Sequence, residues 1–185
     1  MADELHRPSP SRRRRADLRP TTLGALVHAA VAVLLATLDR SPRHRDIDAV
    51  VMRLLPSDLA PVYRQTVLMR VATAVARYFA IFDRRPAWEP LGVELNVADV
   101  RLDVVWRRGP EIQADELKSG LSAGTSRRPL ALAQARAELG AGREVFGSAF
   151  SGVRIVVLVD PAASLCVRFD GRVEPISPPT LRRPA

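Results

Sequence analysis

The spacing of apolar residues changes period twice along the 185-residue chain. Residues 20–38 carry no formal charge and are rich in Ala, Val and Leu, which predicts a helix capped by Thr21 or Thr22. Ser41-Pro42 through Asp46 predicts a break. A second helix is expected over residues 59–82, with Pro61 in its first turn, where a missing N–H does no harm. There Thr66, Arg70, Thr73 and Arg77 share one face and Val67, Val71, Ala74 and Tyr78 another, the pattern of one solvated and one packed side.

From residue 91 the period falls to two. Leu91, Val93, Leu95 and Val97 alternate with Glu94 and Asn96, which makes Glu94 an outward strand residue, with a further cation ligand as its alternative role. Residues 100–107 alternate Val100, Leu102, Val104 and Trp106 with Arg101, Asp103 and Val105, and residues 112–118 form a third strand. Gly109-Pro110 is the turn between these two. Helical spacing returns after Thr125 or Ser126, with Pro129 in the first turn and a stop near Gly140. Residues 153–159 are a near-continuous β-branched run, as in a strand buried on both faces. Residues 165–169 and 172–173, joined by Asp170-Gly171, predict a closing hairpin. The sequence thus predicts an α/β fold with a mixed sheet flanked by helices. It divides into a disordered basic arm (1–19), a single domain (20–174) and a flexible, proline-rich tail (175–185).

A net charge of +8 adds a polyanionic partner to this picture, nucleic acid first. The single cysteine, Cys166, excludes a four-cysteine zinc or iron–sulfur site and suits a reducing cytoplasm. The uncharged stretch 20–38 is at the short edge for a membrane span and contains His28, Gly24 and three threonines. We therefore expect a cytoplasmic protein with no membrane partner. His6 and His44 fall in expected loops and receive no role.

Of 28 basic residues, 27 are arginine and one is Lys118. Arginine is a planar fork that keeps its proton, whereas lysine is a compact, mobile point charge, so a lone lysine marks a place where guanidinium does not serve. On a strand, Glu116 and Lys118 project to one face. If Gly109 and Pro110 are the two loop residues, the antiparallel register sets Asp103 opposite Glu116, at a Cβ separation of about 4.5–5.5 Å. Two carboxylates so placed either hold a cation or raise each other's pKa. Hard oxygen donors partly open to water suit Mg²⁺ or Mn²⁺.

Asp103 with Glu116-x-Lys118 on the next strand resembles the PD-(D/E)XK nuclease superfamily. The RecB-like branch is the nearest likeness: Gly24-Ala-Leu-Val-His28 matches its Gly-x-x-x-His helix motif, and Gly120 its glycine after the lysine. Gln134 matches the first position of its Gln-x-x-x-Tyr helix motif, but Glu138 stands where the tyrosine is expected. Leu102, not proline, precedes Asp103. The resemblance covers roughly residues 21–159 and implies a core ordered helix, three strands, helix, strand. It implies hydrolysis of single- or double-stranded DNA with Mg²⁺ or Mn²⁺. Asp103 and Glu116 would be ligands, the Leu117 carbonyl a further ligand, His28 an auxiliary one, Lys118 the catalytic cation and Gln134 a substrate-binding residue. From the residues alone, His28 reads equally as a buried histidine satisfied by hydrogen bonding. The alternative to a nuclease is a non-catalytic nucleic-acid- or partner-binding module that keeps the fold. No helicase motor is encoded in these residues, so coupling to unwinding would need a separate protein.

The arginine-rich arm predicts salt-sensitive DNA affinity with little sequence preference. Deleting residues 1–19 should weaken binding and flatten its dependence on log salt in a fluorescence-anisotropy titration. An unchanged slope would make the arm a solvated tail.

Overall fold

A computed structural model describes residues 20–120 and 124–176, with side chains from Leu23 onward. The expected arm, residues 1–19, and residues 177–185 of the expected tail lie outside the described residues. The first helix, α1, spans Pro20–Thr37. Proline already occupies the first turn, so Thr21 and Thr22 lie within the helix and do not cap it. Val27, Ala30, Val31, Leu34 and Leu35 are buried at helical spacing, which makes this apolar stretch a core helix. Among the described residues no helix is long and apolar enough to cross a membrane.

The segment expected as a break holds a helix of its own. Helix α2 spans His44–Leu54, so His44 opens a helix instead of sitting in a loop. The Arg43 N–H donates to the Asp46 carboxylate at 2.9 Å, closing the first turn, and Ile47, Val50 and Val51 are buried. Helix α3 spans Pro61–Ile81 and starts at its proline, later than expected. Its Thr66, Arg70 and Thr73 are exposed, while Val67, Val71 and Tyr78 are buried, as their spacing predicts.

Strands β1 (Glu89–Val97), β2 (Val100–Arg108) and β3 (Glu111–Lys118) form a meander. Helix α4 (Arg128–Phe146) then crosses over to β4 (Phe150–Val157), and β5 (Leu165–Arg168) and β6 (Val173–Pro175) follow. The six strands lie side by side in chain order. Only β3 and β4 are parallel; every other pair is antiparallel. The expected order of helix, three strands, helix and strand is present, with α2 and α3 standing between the first helix and the strands and the hairpin following. β6 takes in Pro175, and the Ile176 N–H donates to the Ser164 carbonyl at 3.0 Å, so the ordered domain passes the expected boundary at residue 174.

Helices α1, α2 and α3 cover one face of the sheet against Val104, Trp106, Leu117, Val156 and Leu158. Helix α4 covers the other, packing Ala131, Ala135 and Leu139 on Val105, Ala114, Val153 and Ile155. It runs through Gly140, where a stop was expected, because it can come close to the sheet at Gly142. A Cβ there would collide with the Phe150 ring. The helix ends instead at Gly147, whose φ of 60° is left-handed.

At the sheet centre Asp115 is enclosed. Arg154, its neighbour across the β3–β4 pair, binds it through two nitrogens at 2.5 and 2.6 Å, while Trp106 Nε1 and Tyr78 Oη donate at 2.9 and 3.0 Å. Breaking such a pair from one side leaves a charge buried without its counter-charge. Arg154→Leu should therefore lower folding stability by about 3–5 kcal/mol, read from the urea midpoint.

Candidate metal centre

The β2–β3 pairing runs from Arg108↔Glu111 to Val104↔Asp115 around Gly109-Pro110, the register expected from the sequence. One further step along it sets Asp103 against Glu116. Beyond the last paired residues the Asp103 side chain continues the ladder: Oδ2 accepts the Leu117 N–H at 2.8 Å. Its other oxygen lies 3.2 Å from His28 Nδ1, and His28 Nε2 lies 3.0 Å from the Leu117 carbonyl. Asp103, Leu117 and His28 therefore close a ring of hydrogen bonds between β2, β3 and α1. Gly24, one turn before His28, lets α1 approach β3: a Cβ there would sit 3.0 Å from Ser119 Oγ.

Both His28 nitrogens face acceptors, a carboxylate and a carbonyl, an arrangement that favours the doubly protonated, charged ring. Burial opposes that charge, but the bond to Asp103 and the charges of Asp103, Glu116 and Glu94 outweigh it and raise the His28 pKa.

Glu94 departs from its expected outward position. One ligand atom from each of His28, Glu94 and Asp103 lies within 4.8 Å of the others. The cause is local. An extra residue bulges β1 between Pro90 and Gly92, and Glu94 itself has φ of 50°, a left-handed conformation that breaks the two-residue alternation. Arg101 holds the Glu94 carboxylate at 2.8 Å. Sequence alternation alone gave no sign of this turn.

Glu116 points into the same cavity, of about 550 Å³, whose lining includes His28, Asp103, Glu116, Gln134 and Glu138. Its Oε1 accepts from Lys118 Nζ at 2.5 Å and from Gln134 Nε2 at 2.8 Å. Lys118 also donates to Gln134 Oε1 at 2.7 Å. All six residues singled out by the sequence thus meet at one end of the β2–β3 pair. The group of three that could hold an ion is His28, Glu94 and Asp103, whereas Glu116 is engaged by Lys118. No protein-family model matches the chain, and no curated protein matches it.

The position where the resemblance expects tyrosine contributes a carboxyl group. Glu138 is 2% exposed, one turn beyond Gln134, whose Nε2 donates to Glu138 Oε1 at 2.8 Å. Among the described residues its Oε2 is the one buried side-chain polar atom without a partner. The four-residue spacing from Gln134 was the signal for it, since i and i+4 share a helix face. Burial first, and then the nearby Glu116 charge, pushes the Glu138 pKa up to about 9. Burial and the Asp103 charge raise Glu116 as well, against the pull of Lys118.

Glu138 thus gains a proton on folding at neutral pH. The stability this contributes is complete below the ordinary carboxylate range and is lost as pH climbs toward about 9. In EDTA the wild-type melting temperature should fall across that window. Glu138→Gln, which cannot titrate, should flatten the decline, leaving the shallower slope from Glu116 and His28. Parallel pH profiles for the two proteins would mean that Glu138 is ionised in the folded chain.

Proposed function

We propose that this chain is a metal-dependent nuclease that hydrolyses DNA phosphodiester bonds, with the core of the RecB-like PD-(D/E)XK nucleases. The observation that carries this reading is the convergence of His28, Asp103 and Glu116, from α1, β2 and β3, on one cavity, with the Leu117 carbonyl bound to His28 and Lys118 to Glu116 at its edge. The basic balance of the chain, +8, suits a DNA substrate.

The donor set fits Mg²⁺ or Mn²⁺. Asp103, Glu94, Glu116 and the Leu117 carbonyl offer hard oxygens, and His28 adds one imidazole once it has lost its proton. The Oε2 of Glu138 beside them becomes a further acceptor only once that carboxyl has given up its proton. Such an ion supplies a water of lowered pKa and polarises the phosphoryl oxygen.

The chain's own groups do the remaining work. Lys118 Nζ, held between Glu116 Oε1 and Gln134 Oε1, is a point charge placed to offset the negative charge that develops on the phosphate. Gln134 reaches Lys118, Glu116 and Glu138 at once, so it acts as a positioning residue as well as a candidate substrate contact. Unwinding of duplex DNA would fall to a separate partner. A cytoplasmic setting is in keeping with the buried, unpaired thiol of Cys166.

The deciding measurement is cleavage of single- and double-stranded DNA with Mg²⁺, with Mn²⁺ and with EDTA. Cleavage is expected with the ions alone. Lys118→Ala should abolish it while calorimetric Mn²⁺ binding persists. Lys118→Arg should lose on the order of 100-fold, because a planar fork replaces an ammonium seated between two oxygens. Near wild-type cleavage by the arginine variant would remove the case for lysine chemistry. A wild type inert on every nucleic acid with either ion would leave the non-catalytic binding module.

A further inference from the structure

The opposite face of the sheet holds a second cleft, of about 470 Å³, built mainly from arginine. On β3, Gln113 and Asp115 point away from the face that carries Glu116, so this cleft is separated from the candidate metal centre by the sheet itself. Arg84, Arg108, Arg154 and Arg168 line it, contributed by the segment after α3 and by β2, β4 and β5. Three carboxylates face these four guanidinium groups. Asp115 binds Arg154 from beneath, Glu111 pairs with Arg108 and Glu174 with Arg168.

Arg84 is the cation left over. Its Nη1 donates to Gln113 Oε1 at 2.7 Å and its guanidinium carbon lies 3.2 Å from the centre of the Trp88 ring, but no carboxylate pairs with it among the described residues. Gln113 is itself anchored to Ser151 on its amide side, which keeps its oxygen toward Arg84. Burial and then Arg154 pull the Arg84 pKa down to about 10 against the nearby charges of Asp115 and Glu111, so it remains charged at neutral pH. A partly buried cation with no carboxylate paired to it is stabilised by an anion that enters from solvent.

We propose that this cleft binds a small phosphorylated molecule, with Arg84 as its principal contact. Arginine forks match phosphate oxygens two at a time, and a phosphate ester brings more negative charge than one carboxylate. Arg108 and Arg168 are 58% and 42% exposed, so both can turn from their surface carboxylates to a more highly charged ligand. The cleft volume falls in the range of sites for small organic ligands and exceeds what one phosphate fills. Trp88 and Ile176 supply apolar lining for the remainder of such a molecule.

Pyrophosphate titrated calorimetrically into the full chain, in EDTA and at low salt, is the test. Saturable binding of one pyrophosphate per chain is expected. Arg84→Gln should weaken it about tenfold or more, and Arg70→Gln, the same charge change on the exposed face of α3, should leave it unaltered. Should the Arg84 variant fail to fold, Arg168→Gln at the rim takes its place with a loss in the same direction. Non-saturable binding, or equal weakening by the Arg70 and cleft variants, would reduce the effect to general positive charge and overturn the proposal. Displacement of pyrophosphate by a single-stranded oligonucleotide lacking terminal phosphates would also overturn it, in favour of a nucleic-acid backbone.

Discussion

The carboxylate of Asp115 is enclosed between the sheet and α3, and side chains from three other elements donate to it: Arg154 from β4, Trp106 from β2 and Tyr78 from α3. An ionised group so deep is tolerated only with a counter-charge and well-aligned donors. Meeting that requirement fixes the position of β3 relative to both its neighbours and to the helical layer. Arg154 also donates to the Phe82 carbonyl at 3.1 Å, which ties the end of α3 into the same arrangement.

Both candidate sites inherit this fixed strand. The side chains of β3 alternate between the two faces: Glu116 and Lys118 reach the α4 side, Gln113 and Asp115 the side of α3. One strand thus supplies the acid–lysine pair of the candidate metal centre and the floor of the arginine cleft. At the former the remaining groups arrive from elements packed over this frame, His28 from α1 and Gln134 and Glu138 from α4. Four carboxyl groups share that region, and their mutual repulsion is relieved by the contact of His28 with Asp103, by Lys118 and by the raised pKa of Glu138.

Much of this arrangement was legible in the sequence because it depends on short-range spacing. The Gly109-Pro110 turn determines the β2–β3 register, and two-residue alternation then puts Glu116 and Lys118 together. Features that depend on distant packing were not legible. The length of α4 beyond Gly140 is set by the Phe150 ring against Gly142, a contact between residues on different elements. Glu94 turns inward through a bulge and a left-handed backbone, neither of which its residue type signals. Helix α2 is a different case. Ile47, Val50, Val51 and Leu54 already stand at helical intervals, and the prolines and charges before them obscured a pattern that was present. Glu138 was visible only as a tyrosine that was not there; its carboxyl becomes informative once the cavity around it is seen.

The position of β3 between an antiparallel and a parallel neighbour also restricts how this sequence can change over time. Inserting or deleting one residue between Pro110 and Glu116 would exchange the faces of every later side chain on the strand. An insertion before Asp115 would carry its carboxylate into the cavity in place of Glu116, and a deletion there would force Glu116 into the place of Asp115, against Trp106 and Tyr78. Substitutions can accumulate here one at a time, but a change of length would damage the core and the candidate centre together. Descendants of this chain that keep either one should therefore keep the number of residues in this strand, and vary in length instead in the segment between β3 and α4.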